Sequence, residues 1–322
     1  MTTPLFPQTV IALIWDFDKT LIPGYMQEPL FEHYHVDEKQ FWPEVGKLEE
    51  IYRQQGNCLV SRDSLYLNHM LSYIRAGVFK GLNNRLLNEL GAKLKFYEGL
   101  PEFFDQVREL VKSETAFSKH GIVVEHYIVS TGLRQMILGS CIAKHADGVW
   151  GCEFIGDVPC PGFLTNAPAR LPSPDSEFTD IAFSIDHTTK TRAVFEVNKG
   201  VNKFPEIDVN ASLAAEHRRV PFRNMIYIAD GPSDISVFSM LNQNEGHTFA
   251  VFKPGSQREF DQVYRLQQNR RVQSFGEARY TPSSQTYLWL TTAVREIAKR
   301  IVRDKERTVG DGASGPPRHL TE

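Results

Sequence analysis

Trp15-Asp16-Phe17-Asp18-Lys19-Thr20 is the stretch on which the fold reading turns. It follows Val10–Trp15, an apolar run of strand length rich in Val, Ile and aromatic residues. Two carboxylates at i and i+2 leaving a strand both point into the crevice beyond it once the chain turns. Asp also ends strands and caps helices with no chemistry attached, so the pair alone leaves that plainer reading open. A calcium loop is a third reading, with Asp16, Asp18 and Thr20 at its first, third and fifth positions. It fails, because such a loop next requires Gly and later Glu, where Leu21 and Gln27 stand.

Further apolar runs share this form: Ile122–Val129 before Ser130, Met225–Ala229 before Asp230, and Thr248–Phe252. Helical patterns such as Phe103–Val111 and Thr191–Val197 lie between them. Strands alternating with helices imply βαβ units, and hence an α/β fold with a mostly parallel sheet. Ligands of such sheets sit outside the carboxyl ends of the strands, so the residues just after each run are the candidates for chemistry.

Three more groups occupy such places. Ser130-Thr131-Gly132 offers a hydroxyl and backbone amides as a phosphate cradle, although the same triplet also makes an ordinary cap or turn. It does not fit the G-x-S-x-G elbow of serine hydrolases. Lys190 opens a helix that runs to Lys199 and stops at Gly200, and a lysine there works against the helix dipole. That oddity points to a task such as pairing with phosphate and carboxylates, although a lone lysine is most often surface decoration. Lys199, at the dipole's favourable end, is the reserve candidate. Asp230-Gly231-Pro232-Ser233-Asp234 supplies a second carboxylate pair, either a plain turn or half of a magnesium-sized cluster of oxygen ligands.

With these four motifs in this order, the chain resembles the haloacid dehalogenase-like (HAD) hydrolases, in particular their phosphoserine-phosphatase-like branch. The resemblance covers residues 1–21 and 97–300, and includes Tyr97-Glu98-Gly99-Leu100-Pro101 as the return from an inserted cap. Ala229 departs from the Gly many members carry before the fourth-motif Asp. The resemblance implies a Rossmann-like HAD core at 1–21 and 97–307, and a smaller α-helical cap at 22–96. It implies that Asp16 attacks phosphorus and becomes an aspartyl-phosphate, while Asp18 serves as general acid and base. Mg²⁺ would be held by Asp16, the Asp18 backbone carbonyl and Asp230, with Asp234 ordering its shell or Lys190. Ser130, Thr131, Gly132 and Lys190 would hold the phosphoryl oxygens. An acid at Asp18 favours phosphatase or phosphomutase chemistry over dehalogenation. The expected activity is Mg²⁺-dependent hydrolysis of a small phosphorylated metabolite. A phosphotransferase or mutase using the same residues, and an idle binding protein, are the alternatives.

The 22–96 stretch reads as helices near Asp37–Arg53, Ser64–Arg75 and Asn84–Leu90, with Tyr25, Trp42 and Tyr66 among aromatics that would form its own core. Arg62, Arg75 and Arg134 are candidates to face substrate, against the plainer reading of surface salt bridges. Five prolines within Gly156–Asp180 predict a loop or short hairpin there. A last helix is expected over Gln285–Arg303, followed by a disordered tail at 308–322.

Composition bounds the rest. The 322 residues are 41% hydrophobic and 23% charged, which describes a globular chain. A formal net charge of -3 provides no field towards nucleic acid or an anionic membrane. No apolar run approaches the ~18 residues of a membrane helix, and no basic flank marks a secretory signal, so a cytoplasmic address is expected. Cys58, Cys141, Cys152 and Cys160 form no CxxC pair and read as reduced thiols. Oligomeric state leaves no mark in the sequence.

Overall fold

The computed structural model describes residues 5–56, 59–165 and 173–313. In chain order the elements are β1 (Val10–Trp15), α1 (Glu28–Tyr34), α2 (Glu38–Gln54), α3 (Arg62–Arg75) and α4 (Asn84–Gly91), then α5 (Glu102–Lys112) and α6 (Thr115–Ser118). Next come β2 (Val123–Leu133), α7 (Arg134–Gly139), β3 (Gly148–Gly156), β4 (Phe178–Phe183) and α8 (Lys190–Lys199). The chain closes with β5 (Met225–Ala229), α9 (Ile235–Gln243), β6 (His247–Phe252), α10 (Gln257–Gln268), β7 (Ser274–Glu277) and α11 (Gln285–Ala313).

The sheet runs β4-β3-β2-β1-β5-β6-β7, parallel throughout except for antiparallel β4 at one edge. Every residue of β1 is buried, as a central parallel strand covered on both faces requires. From β1 the chain builds outward through β2 and β3, then returns to β5 and builds the other way. The point of reversal therefore falls between β1 and β5, and a crevice opens there at the carboxyl ends. Register sets its contents: Trp15 lies opposite both Ile128 and Ile228. Asp16 and Asp230 consequently leave neighbouring strands side by side, and the Asp16 amide donates to the Ile228 carbonyl at 2.9 Å.

Helices α1–α4 are inserted between β1 and α5. Both ends of the insertion meet at its base, where the Tyr97 amide donates to the Leu21 carbonyl at 3.0 Å. Gly99, at φ +92°, packs so tightly there that a Cβ would lie 2.4 Å from the Tyr280 carbonyl carbon. The insertion is also clamped further out, because α4 crosses α7 at backbone contact. A Cβ on Gly91 would meet the Met136 carbonyl oxygen at 2.0 Å, and one on Gly139 the Asn88 carbonyl oxygen at 1.9 Å.

The structure departs from the sequence reading at several points. β2 continues to Leu133 through an irregularity after Val129, so Ser130-Thr131-Gly132 forms the strand's distorted end rather than a helix-opening turn. The proline-rich segment is bracketed by the antiparallel β3–β4 pair, and Pro168 and Pro172 lie outside the described residues. The last helix extends to Ala313, ten residues past the expected end, and takes in the first part of the expected tail. Residues 314–322 lie outside the described chain, as does Cys58. Cys141, Cys152 and Cys160 are free thiols. Among the described residues, no helix is long and apolar enough to cross a membrane.

Gly139→Ala forces α4 and α7 apart. Overpacking of this kind costs about 1–3 kcal/mol, so a urea melt of the variant is expected to show a lowered midpoint with an unchanged slope.

Candidate active site

Asp16 is buried at the end of β1, and its two oxygens are divided between partners. Oδ1 accepts from Lys190 Nζ at 2.6 Å, and Oδ2 accepts from Thr20 Oγ1 at 3.1 Å. Lys190 Nζ also donates to Asp234 Oδ1 at 2.7 Å, and Lys190 and Asp234 are 1% and 0% exposed. The lysine reaches this position because the turn before α8 is fixed by Asp186. Its Oδ1 accepts from the Thr188 and Thr189 amides at 2.8 and 2.7 Å, and its carbonyl accepts from the Lys190 amide. The cost of an ammonium at a helix N-terminus is outweighed by two carboxylates at hydrogen-bond distance. Lys199 is elsewhere, donating to the Val209 and Ala211 carbonyls.

Asp16, Asp230 and Asp234 each bring one oxygen within 4.8 Å of the others, which is the spacing of a shared cation site. The three are not equivalent. Asp234 also accepts from Tyr227 Oη at 2.6 Å and from Ser233 Oγ, so its oxygens are taken by protein donors. Asp230 is half-buried, and among the described residues no side chain hydrogen-bonds to its carboxylate. A hard divalent cation seeks such oxygen ligands, and the donor set fits Mg²⁺.

Asp18 takes a different place from the trio. Its Oδ1 accepts from the Met26 amide at 2.9 Å, which turns the carboxyl towards the inserted helices. Of the four expected metal residues, the side chains of Asp16, Asp230 and Asp234 are brought together and that of Asp18 stands apart. Burial followed by the neighbouring Asp16 charge pushes Asp18 up to about 7. Asp16 is raised to about 6, chiefly by burial, with Lys190 pulling down and Asp234 pushing up. Burial and the same two neighbouring carboxylates raise Asp230 well above the carboxylate range. Burial works against the Lys190 charge, but Asp16 and Asp234 outweigh it and hold the ammonium above its ordinary range.

Ser130 is buried beside the trio, its Oγ accepting from the Gly132 amide at 3.0 Å. Thr131 turns its carbonyl to Tyr66 Oη at 2.7 Å, a bond that ties α3 to the site. Gly132 leaves no room for a side chain, since a Cβ would meet Met26 Cε at 2.3 Å. Ser130 and Thr131 line the cavity of about 370 Å³ that also holds Asp16, Asp18 and Asp230. Among the arginines, Arg134 is spent on Glu153 at 2.8 Å and Arg75 donates to Ser72 Oγ, whereas Arg62 lines an adjoining cavity.

Sequence reasoning missed Thr20, Tyr227, Met26 and Asp186 as supports of the site. Tyr227 carried a signal, being the one hydroxyl within the otherwise apolar Met225–Ala229 run. Met26 carried none, because it acts through its amide and its sulfur, the latter accepting from the Leu133 amide at 3.0 Å.

The reversal point between β1 and β5 thus has a carboxylate pair after each strand, a hydroxyl at the end of β2 and a lysine opening α8. No family model matches the chain. A protein of Borreliella burgdorferi, described as an uncharacterized protein, is 41% identical over 286 residues, spanning 88% of this chain and 96% of its own, and the chain belongs to its family. Among solved structures, a probable phosphoserine phosphatase from Vibrio cholerae overlaps with a TM-score of 0.49 at 12% identity, over 92% of this chain and 68% of its own. A HAD family hydrolase from Salmonella enterica serovar Typhi gives a TM-score of 0.48 at 12% identity, over 84% of this chain and 67% of its own.

Stability should report the Asp18 environment. Folded, Asp18 holds its proton to about 7, against an ordinary value of 3.8. The folded state thus binds the extra proton between those values and loses stability as pH rises through them. Metal-free Asp18→Asn is expected to be more stable than the parent at pH 8, by on the order of 2–3 kcal/mol after allowing for partial exposure. The gap should close as pH falls towards 4, read by urea melts across the range.

Proposed function

We propose that this chain is a Mg²⁺-dependent phosphomonoesterase that works through an aspartyl-phosphate on Asp16. The observation that carries the reading is the set of three carboxylates within 4.8 Å of one another, with the Lys190 ammonium wedged between two of them. A purely structural ion pair needs one acid for one base. Here a buried excess of negative charge is left at the strand ends, where it is costly unless a cation answers it. When bound, Mg²⁺ would be held by Asp16 and Asp230 and would supply positive charge to the phosphoryl oxygens.

The chain's own residues then divide the work. Lys190 holds Asp16 Oδ1, leaving Oδ2, steadied by Thr20, to face phosphorus. Asp18, pushed up to about 7 by burial and the Asp16 charge, can exchange its proton near neutrality, so it can give a proton to the departing oxygen and afterwards take one from water. Thr131 and Ser130 border the cavity where phosphoryl oxygens would lie, with Lys190 as the fixed cation behind them. Asp234 acts as the positioning residue for Lys190, locked by Tyr227. Helices α1–α4 serve as a cap that covers the reacting carboxylates and keeps water out of the first step.

Phosphate release from p-nitrophenyl phosphate and from acetyl phosphate tests this. Turnover is expected with Mg²⁺, is abolished by EDTA and by Asp16→Asn, and falls about 10²–10⁴-fold in Asp18→Asn. Unchanged turnover in Asp16→Asn, or in EDTA, would refute the reading.

A further inference from the structure

The cavity at the reacting carboxylates has two lobes. One holds Asp16, Ser130 and Asp230; the other, about 420 Å³, opens past Asp18 and is bordered by Tyr25, Gln27, Trp42, Tyr66 and Arg62. Asp18, Tyr25, Thr131 and His187 border both. We propose that the second lobe receives a leaving group built on a planar nitrogen heterocycle, so that the substrate is a phosphomonoester carrying such a ring. This rests on the phosphatase reading.

The first ground is the wall. Trp42 stands between two tyrosines, its ring 5.9 Å from Tyr25 at 43° and 5.9 Å from Tyr66 at 48°. Three tilted rings in a row give a flat-sided ligand faces and edges to pack on, whichever way it enters. An acyclic chain leaves most of that surface bare. The wall is also held to the chemistry, because Tyr66 is bonded to the Thr131 carbonyl.

The second ground is a pair of polar atoms without partners. Gln27 is 3% exposed and its Oε1 has no hydrogen bond, and the Trp42 Nε1 is buried and equally unpartnered. Buried polar atoms are almost always satisfied, so each such exception calls for a reason. Here one acceptor and one donor belong to residues of the same cavity. The edge of a nitrogen heterocycle, with a ring or exocyclic N–H beside a carbonyl or ring nitrogen, offers the complementary pair.

Two kinds of molecule share the proposed chemistry: nucleoside 5′-monophosphates and pyridine-ring phosphates. Full-length Asp16→Asn with Mg²⁺ is titrated calorimetrically with adenosine, guanosine and uridine 5′-monophosphates, pyridoxal 5′-phosphate, phosphoserine and β-glycerophosphate. At least one ring ester is expected to bind ten times more tightly than both acyclic esters, and the ring class that does so identifies the source. Trp42→Leu and, separately, Gln27→Leu should each shrink that ratio about tenfold, with far-UV circular dichroism reporting that each variant is folded. Equal binding of ring and acyclic esters, preference for phosphoserine, or a ratio unmoved in both folded variants overturns the proposal. Phosphate release by the unmodified chain is measured in parallel. Its absence from every ester defeats the phosphatase reading, whereas the binding ratio decides the ring preference either way.

Discussion

The Lys190 ammonium, held at 2.6 and 2.7 Å between Asp16 and Asp234 with almost no exposure, is the interaction on which the site depends. Three carboxylates meeting at the ends of two adjacent strands repel one another strongly at low dielectric. The lysine cancels one of those charges, and two formal negative charges are left over, which is the charge a divalent cation matches. The cost is borne locally. Asp16, Asp18 and Asp230 all sit above the ordinary carboxylate range, and burial is the largest cause for each. The same burial that costs stability also holds the Asp18 carboxyl up to about 7.

The fold delivers this arrangement through register more than through any loop. Because Trp15 pairs with Ile228, the next residue of β1 and the residue two further along β5 arrive together. Lys190 is supplied from the other direction by α8, whose first turn Asp186 pins in place. Tyr227 then fixes Asp234 from within β5. Each acidic group is thus set by a strand end or a helix start, so the geometry is present before any ligand arrives. This is what preorganised electrostatics requires.

Much of this was legible in the sequence, for a physical reason. Central parallel strands are buried on both faces, so Val10–Trp15 and Met225–Ala229 stand out as uninterrupted apolar runs, and the chemistry begins where they stop. Edge strands carry no such mark. β4 is mostly exposed and β7 is four residues long with a glycine inside, and neither was read. Ser130-Thr131-Gly132 reads as a helix-opening turn but forms the end of β2, because a strand distortion such as that after Val129 depends on what packs against it. Tyr25 and Trp42 were read as the insertion's own core, yet both border the cavity. A helical stripe tells which face is apolar and says nothing of which part of that face is left uncovered.

The bond between Leu21 and Tyr97 has a consequence of an evolutionary kind. The 22–96 insertion departs and returns through a single doorway, with its two jambs one peptide hydrogen bond apart. A genetic exchange of that cassette leaves the order of the sheet and the strand-end carboxylates in place, provided that the incoming segment again supplies donors where the Met26 amide meets Asp18 and the Tyr66 hydroxyl meets Thr131. The aromatic wall of the outer lobe and the strand-end carboxylates thereby lie on separate stretches of the gene, free to drift at different rates. The brake on that freedom is the glycine contact of α4 with α7, which obliges any incoming cassette to bring its own bare backbone to the crossing.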